Sequence, residues 1–156
     1  MDMCHKKVAD CLKAQRSELL RKRNWKRIDI TTNGWASSQF EEKPAVYVFI
    51  DKKNSEIVYA GETGNLRKRM GQLRRTVNHN IRRNIGEKFF SNINNYSPAS
   101  STRKFEETIE KAVNDYLENN LLLSFLYIDY GRKELEEYLI KKDELINKLN
   151  KKGRSS

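Results

Sequence analysis

Residues 45–70 read AVYVFIDKKNSEIVYAGETGNLRKRM, and this stretch decides the fold. Its first part contains two apolar alternating runs, residues 45–50 and 56–61, and the polar segment 51–55 lies between them. Alternating apolar residues are typical of strands, and a short polar segment between two such runs is typical of a turn. The stretch therefore predicts a β-hairpin.

A helix is predicted to follow the hairpin. Residues 61–65 break the second strand, and beyond them apolar residues recur at the spacing of one helix face: Leu66, Met70, Leu73 and Val77. Arg69 lies one turn from two members of this apolar stripe, so we expect its side chain to project toward the hairpin. Arg67 and Arg74 are expected to point away, toward solvent.

The hairpin and its helix resemble the catalytic module of the GIY-YIG nuclease family. In that family two short strands each carry a tyrosine, and a helix presents an arginine about ten residues after the second tyrosine. Tyr47 and Tyr59 lie in the two predicted strands, and Arg69 follows Tyr59 at that spacing. Ala45 and Ala60 stand where the family name has Gly and Ile. Neither change removes a functional group, because Ala suits ordinary β dihedrals and Ala60 faces away from Tyr59.

Two residues near the C-terminus extend the resemblance. The family has a glutamate on a later helix, in a pattern close to LExxLIK, and an asparagine shortly after it. The sequence LEEYLIK at residues 135–141 contains Glu136 in that position, and Asn150 follows. The matching elements occur in order over residues 44–150, which is most of the chain. The length favours a small stand-alone or restriction-type member.

The resemblance implies a fold and a reaction. The fold would be α+β, with a small antiparallel sheet of about three strands flanked by helices. The reaction would be metal-dependent hydrolysis of phosphodiester bonds in DNA. Glu136 would hold one divalent ion, Mg²⁺ or Mn²⁺, and Tyr47 would act as general base. Arg69 would neutralise charge on the scissile phosphate, Tyr59 would hydrogen-bond the water or the phosphate, and Asn150 would brace the site.

The composition also favours a nucleic-acid partner. The 156-residue chain has 31 Lys and Arg against 21 Asp and Glu, a net charge of +10. A surplus of this size implies a polyanionic partner, and the hydrophobic content of 37% argues against a disordered chain. The length allows one modest domain.

The sequence does not indicate a membrane protein or a structural zinc site. No apolar run approaches the about 20 residues that span a bilayer, and residues 1–10 have no signal peptide. Cys4 and Cys11 are the two cysteines and lie too far apart along a helix for a disulfide, so we expect reduced thiols and a cytoplasmic location. With two histidines, the chain does not supply the ligands of a structural zinc site.

A basic run begins beside Arg69. Seven Lys or Arg and no Asp or Glu occur between Thr63 and Gly86. Arginine forks bind phosphate oxygens, so the run predicts contact with nucleic acid, double-stranded DNA in particular. The residues predicted to bind nucleic acid are Arg67, Lys68, Arg74, Arg75, His79, Arg82 and Arg83.

The rest of the chain is divided into three regions. We expect residues 1–43 to form an N-terminal helix and strand packed on the core, residues 44–150 to form the catalytic domain, and residues 151–156 to form a basic tail. The further predicted elements are a helix over 3–23, a strand over 25–30, a helix over 105–117 with an N-cap at Ser100 or Ser101, a buried strand over 121–128 and a helix from residue 132.

Three function classes remain open on the sequence. The first is the single-metal endonuclease, acting on duplex DNA and possible as a homodimer. The second is a nucleic-acid-binding protein that uses the same scaffold without cutting. The third is a basic structural or adaptor protein whose tyrosines only fill the core. Convergence of Tyr47, Arg69 and Glu136 in the folded chain would favour the first.

Overall fold

The computed structural model describes residues 3–151. The α-helices of this range are α1 (Met3–Leu19), α2 (Trp35–Gln39), α3 (Leu66–Gln72), α4 (Asn80–Phe90), α5 (Glu107–Asn120) and α6 (Arg132–Lys142). The strands are β1 (Lys26–Arg27), β2 (Ala45–Asp51), β3 (Ile57–Thr63) and β4 (Leu121–Tyr127). Apart from Lys151, the predicted basic tail lies outside the described residues.

The strands form one antiparallel sheet in the order β1-β4-β2-β3. β2 and β3 are the predicted hairpin, and β4 is the predicted buried strand, paired with β2 along its whole length. The α+β fold with a small antiparallel sheet is therefore confirmed. Its fourth strand, β1, is only two residues long and extends the sheet beyond β4.

Helices cover both faces of the sheet. Side chains alternate along β2, so Tyr47 and Phe49 lie on one face and Val46 and Val48 on the other. The first face packs against apolar residues of α2, α3, α4 and α5, and the second packs against residues of α1 and α6. β2 is buried on both faces, which explains why its sequence is apolar almost throughout.

Several element boundaries differ from the sequence prediction. β3 runs on to Thr63 instead of ending near residue 61, because Gly61 and the next two residues still pair with β2. The N-terminal helix ends at Leu19 instead of residue 23. α5 begins at Glu107 and not at residue 105, with N-cap Glu106 in place of the predicted serines. The Glu106 side chain makes no capping hydrogen bond. The Phe105 N–H, just before this helix, donates to the carboxylate of Glu110 at 2.8 Å.

Helix α3 ends at Gln72, five residues before the predicted end at Val77, because arginine side chains bind the carbonyls of the following turn. The guanidinium of Arg83 donates to the carbonyls of Thr76 at 2.8 Å and Val77 at 3.2 Å. Arg69 donates to the carbonyl of Asn78 at 2.9 Å. Carbonyls satisfied in this way need no helical partner, so the chain turns and restarts as α4.

A buried ion pair fixes this turn to α5. The Arg82 side chain is 1% exposed and donates to the Glu110 carboxylate at 2.7 Å. It also donates to the Asn114 carboxamide at 2.6 Å and to the Thr76 hydroxyl at 3.1 Å. A buried guanidinium requires partners of this number and charge. Arg82 is therefore a structural residue that joins α4, α5 and the turn.

The segment after α6 covers the free edge of β3. The Leu149 N–H donates to the Val58 carbonyl, and the Asn150 side chain forms two hydrogen bonds of 3.0 Å with the backbone N–H and carbonyl of Ala60. Asn84 of α4 donates to the Leu149 carbonyl at 2.8 Å. The backbone groups of the edge strand are thereby paired without a further strand.

The structure bears on two composition-based predictions. None of the helices within residues 3–151 has the length and apolar character needed to cross a membrane. Cys4 and Cys11 are both exposed free cysteines, and their reduced state stays a prediction.

Loss of the buried ion pair should weaken the fold strongly. Glu110→Ala would leave the Arg82 charge buried without its carboxylate, and we expect the free energy of unfolding in urea to fall by about 3–5 kcal/mol. Glu107→Ala is the matched control on the same helix, because its side chain is 86% exposed and pairs only at the surface with Lys104. We expect that variant to differ from the wild type by less than about 0.5 kcal/mol. Equal stability of the two variants would contradict the structural assignment of Arg82.

Candidate active site

The hairpin places its two tyrosines on one face of the sheet. Tyr47 lies opposite Gly61, and Phe49 lies opposite Tyr59. Residues opposite each other in an antiparallel pair share a face, so the two tyrosine rings are diagonal neighbours. Their centroids are 6.3 Å apart with 29° between the ring planes. Both side chains are almost fully buried.

Gly61 makes the room that the Tyr47 ring occupies. A Cβ atom built at Gly61 would lie 2.4 Å from both Cζ and Oη of Tyr47. This is far inside van der Waals contact, and the neighbour is a ring held in the core. A glycine is needed here because of this close approach, and not because of an unusual backbone conformation.

The two departures from the family name fit the backbone. Ala45 is not among the described residues with positive φ and pairs with Thr63 and Tyr127 as an ordinary strand residue. Ala60 packs in the cluster on the sheet face opposite Tyr59.

The Tyr47 hydroxyl lies between two nitrogen-bearing side chains. The Arg69 Nε–H donates to Tyr47 Oη at 3.1 Å, as expected from the position of Arg69 on the helix. The Nε2 atom of His79 lies 3.2 Å from the same oxygen. This contact of His79 was not predicted from the sequence, because the helix was expected to continue to Val77, whereas α3 ends at Gln72 and the following turn brings His79 back to the hairpin.

Burial dominates the electrostatics of the tyrosines. Burial raises the pKa of Tyr47, and the Arg69 guanidinium opposes the rise without cancelling it. Burial raises the pKa of Tyr59 still further. Burial and the nearby Arg69, Arg83 and Arg82 guanidinium groups lower the pKa of His79 well below its ordinary value. At neutral pH both phenols are therefore protonated in the free protein, and the imidazole is neutral.

Tyr59 is held by a residue that sequence reasoning missed. Its hydroxyl donates to the Asn80 carboxamide oxygen at 2.6 Å. Asn80 is the first residue of α4, directly after His79, so one helix start orients both tyrosines. The signal available in the sequence was the polar triplet Asn78-His79-Asn80 before the apolar Ile81 and Ile85, which is typical of a helix N-terminus.

A cavity of about 450 Å³ is lined by both tyrosines. All five residues that the resemblance marks as catalytic line it: Tyr47, Tyr59, Arg69, Glu136 and Asn150. Asn150 holds the backbone of Ala60 through both ends of its carboxamide, which is the expected bracing geometry. The predicted site residues thus converge on one place from β2, β3, α3, α6 and the C-terminal segment.

Glu62, Glu87 and Glu136 line this cavity, and Glu136 is the most buried of the three glutamates. It lies on α6 beside the inward-facing Leu135, and its side chain is 8% exposed, whereas Glu137 is exposed. No group of three or more His, Cys, Asp or Glu side chains that could hold a metal occurs in the part of the chain that the structure describes. A single carboxylate fits Mg²⁺, which binds through one or two carboxylates and keeps several waters. The tyrosine hydroxyl and asparagine carboxamide oxygens of the cavity lining are hard oxygen donors, as the carboxylate is.

Two of the predicted nucleic-acid-binding residues are buried, and a third is half-buried. His79 has 0% and Arg82 1% exposure, so neither side chain reaches a bound duplex. Arg67, expected to point to solvent, is half-buried, and its Nε–H donates to the Phe40 carbonyl at 2.7 Å. The predictions for His79 and Arg82 were wrong, because a row of charges in sequence does not reveal which side chains are buried and bonded within the fold. DNA contact by Arg67 stays a prediction.

The other predicted residues occupy two kinds of position. Lys68, Arg74 and Arg75 are exposed on and after α3. Arg83 lines the cavity with Arg69. Among residues 3–151, neither of these two arginines forms an ion pair with a carboxylate.

Comparison with known protein families agrees with this geometry. The GIY-YIG catalytic domain matches residues 28–155, which include both hairpin strands, Arg69, Glu136 and Asn150. Comparisons with curated proteins and with solved structures gave no significant match. The family match covers most of the sequence and begins upstream of the hairpin, within the N-terminal region. This chain belongs to the GIY-YIG nuclease family.

Proposed function

We propose that this protein is a metal-dependent endonuclease that hydrolyses phosphodiester bonds in double-stranded DNA. The observation that carries the proposal is the convergence of Tyr47, Arg69 and Glu136 on one open cavity. A general base, a fixed positive charge and a metal-binding carboxylate are the groups that phosphodiester hydrolysis requires. This convergence supports cleavage over a scaffold that only binds nucleic acid, and over a core in which the tyrosines have no chemical part.

Two arginines suit the cavity to a phosphate group. Arg69 and Arg83 both line it, and each is oriented by backbone carbonyls of the turn between α3 and α4. Their mutual repulsion contributes to lowering the pKa of Arg83, after burial as the larger cause. A phosphate bound between them would relieve this repulsion and accept hydrogen bonds from both guanidinium groups.

Tyr47 is the proposed general base. Tyr47 lines the cavity, and its hydroxyl oxygen accepts a hydrogen bond from Arg69, which favours the phenolate over the phenol. The phenolate would take a proton from the attacking water. Because burial raises the pKa of Tyr47, the base form becomes more populated as the pH rises above neutrality.

Glu136 is the proposed ligand of one divalent ion, Mg²⁺ or Mn²⁺. When bound there, the ion supplies a Lewis acid for the phosphate oxygens and for the leaving 3′ oxygen. Tyr59, fixed by Asn80, would orient the water or the phosphate. Asn150 keeps the backbone of β3 in place beneath them.

The duplex would lie along the exposed basic residues beyond α3. Lys68, Arg74 and Arg75 are exposed, and Lys68 directly precedes Arg69, which lines the cavity. Contacts to phosphates of this kind position the backbone and carry no sequence preference of their own. They make the affinity dependent on salt concentration.

A plasmid cleavage assay tests the proposed function. Supercoiled DNA incubated with the protein and Mg²⁺ or Mn²⁺ should be cut, and EDTA should abolish cutting. No cleavage with either ion would refute the nuclease proposal.

The same assay tests the oligomeric state on DNA. One active site cuts one strand per encounter, so two protomers on a two-fold site would give linear product directly. We expect this dimeric outcome, and nicked circles that accumulate before linear DNA would contradict it.

Replacement of Glu136 tests the proposed metal ligand. Glu136→Gln keeps the shape of the side chain but removes the charge that the ion needs, so we expect the cleavage rate to fall by about 100-fold or more while DNA affinity stays the same. Glu137→Gln is the control, because the neighbouring carboxylate is exposed outside the cavity, and it should cleave at the wild-type rate. Single-turnover rates and filter binding separate the two effects. A normal rate for Glu136→Gln would remove Glu136 from the metal site.

A further inference from the structure

His79 makes two contacts through the two nitrogens of its ring. It is the N-cap of α4, and its Nδ1 atom accepts a hydrogen bond from the Ile81 N–H at 3.3 Å. Its Nε2 atom lies 3.2 Å from Tyr47 Oη. The ring is fully buried and packs against the rings of Tyr47, Phe49 and Tyr59.

These contacts decide which nitrogen carries the proton. The buried imidazole is neutral, because burial and the nearby guanidinium groups both oppose a second positive charge. A neutral imidazole has one N–H, and the other nitrogen is an acceptor. Nδ1 accepts from the helix backbone, so the hydrogen is on Nε2. The bond to Tyr47 is therefore donated by His79.

The Tyr47 oxygen then receives two N–H donors. A tyrosine hydroxyl has one hydrogen to donate and two acceptor positions. Arg69 Nε–H and His79 Nε2–H occupy the acceptor positions. The hydroxyl hydrogen therefore points away from both nitrogens, and the cavity lined by Tyr47 is open to it.

We propose that His79 is a positioning residue of the hydrolysis, a fixed hydrogen-bond donor that with Arg69 aims the Tyr47 oxygen at the cavity and stabilises its phenolate form. His79 itself neither gives up nor takes a proton. The N-terminus of α4 thus selects the tautomer that the catalytic oxygen needs. The inference rests on the proposed nuclease function, and it adds a buried residue to the site that sequence reasoning had assigned to DNA contact.

Two conservative variants separate the two contacts of His79. The Asn carboxamide in His79→Asn can still accept from the Ile81 N–H, since Asn is a strong N-cap, but it is too short to reach Tyr47. The Gln carboxamide in His79→Gln places its NH₂ group near the former Nε2 position and loses the cap. A donor acting on Tyr47 and a simple helix cap therefore predict opposite orders of activity.

We expect the single-turnover cleavage rate of His79→Asn to fall about 10- to 100-fold, which is the effect of losing one hydrogen bond to a group that becomes charged. DNA affinity should not change. His79→Gln should keep the rate within about three-fold of wild type while its thermal stability falls, because the cap is worth about 0.5–2 kcal/mol, or about two- to thirty-fold in the folding equilibrium. A wild-type rate for His79→Asn, or a His79→Gln variant that cleaves as slowly as His79→Asn, would overturn the proposal.

Nuclear magnetic resonance of the unmodified protein gives a readout that does not depend on activity. A long-range ¹H–¹⁵N correlation spectrum of the ring should show a protonated Nε2 and an unprotonated Nδ1 for His79 at neutral pH. The opposite tautomer, or a doubly protonated ring, would overturn the proposal even if the variants failed to fold. If the wild type does not cut DNA, the proposed function fails, and the spectrum still decides the tautomer separately.

Discussion

The close contact between Tyr47 and Gly61 is the constraint on which the rest of the site depends. The absence of a Cβ at Gly61 lets the end of the tyrosine ring, with its hydroxyl, lie over β3, the last strand of the sheet. There the hydroxyl meets Arg69 from α3 and His79 from the start of α4. Both partners are fixed by the turn between these helices, so the position of one oxygen atom depends on the packing of two strands and two helices.

The sequence was sufficient for those parts of the fold that follow a regular period. The alternation in β2 and β3, the apolar run of β4 and the stripes of α5 and α6 predicted these elements to within a few residues. The family resemblance then identified Tyr47, Tyr59, Arg69, Glu136 and Asn150, and the folded chain brings all five to one cavity. Regular periods are readable because burial repeats at fixed intervals along the chain.

The turn between α3 and α4 could not be predicted in this way. Its carbonyls are satisfied by arginine side chains that come from the flanking helices, and no local pattern shows such pairings. Arg82 and His79 are polar and lie in the basic run, so they look like surface residues in sequence, although both are buried. The net charge of a chain indicates a polyanionic partner, but it does not show which basic residues are available to bind that partner. Only basic residues that lie on the surface can make such contacts.

The single oxygen atom at the centre of the site gives the most direct measurement. Tyr47→Phe removes that atom and keeps the ring that fills the space over Gly61. We predict a single-turnover cleavage rate at least about 100-fold below wild type, with the DNA affinity retained. Tyr130→Phe, which changes a tyrosine that is 92% exposed, should cleave normally. A Tyr47→Phe variant that folds and cleaves DNA at the wild-type rate would contradict the assignment of Tyr47 as the base and the account of the site built on it.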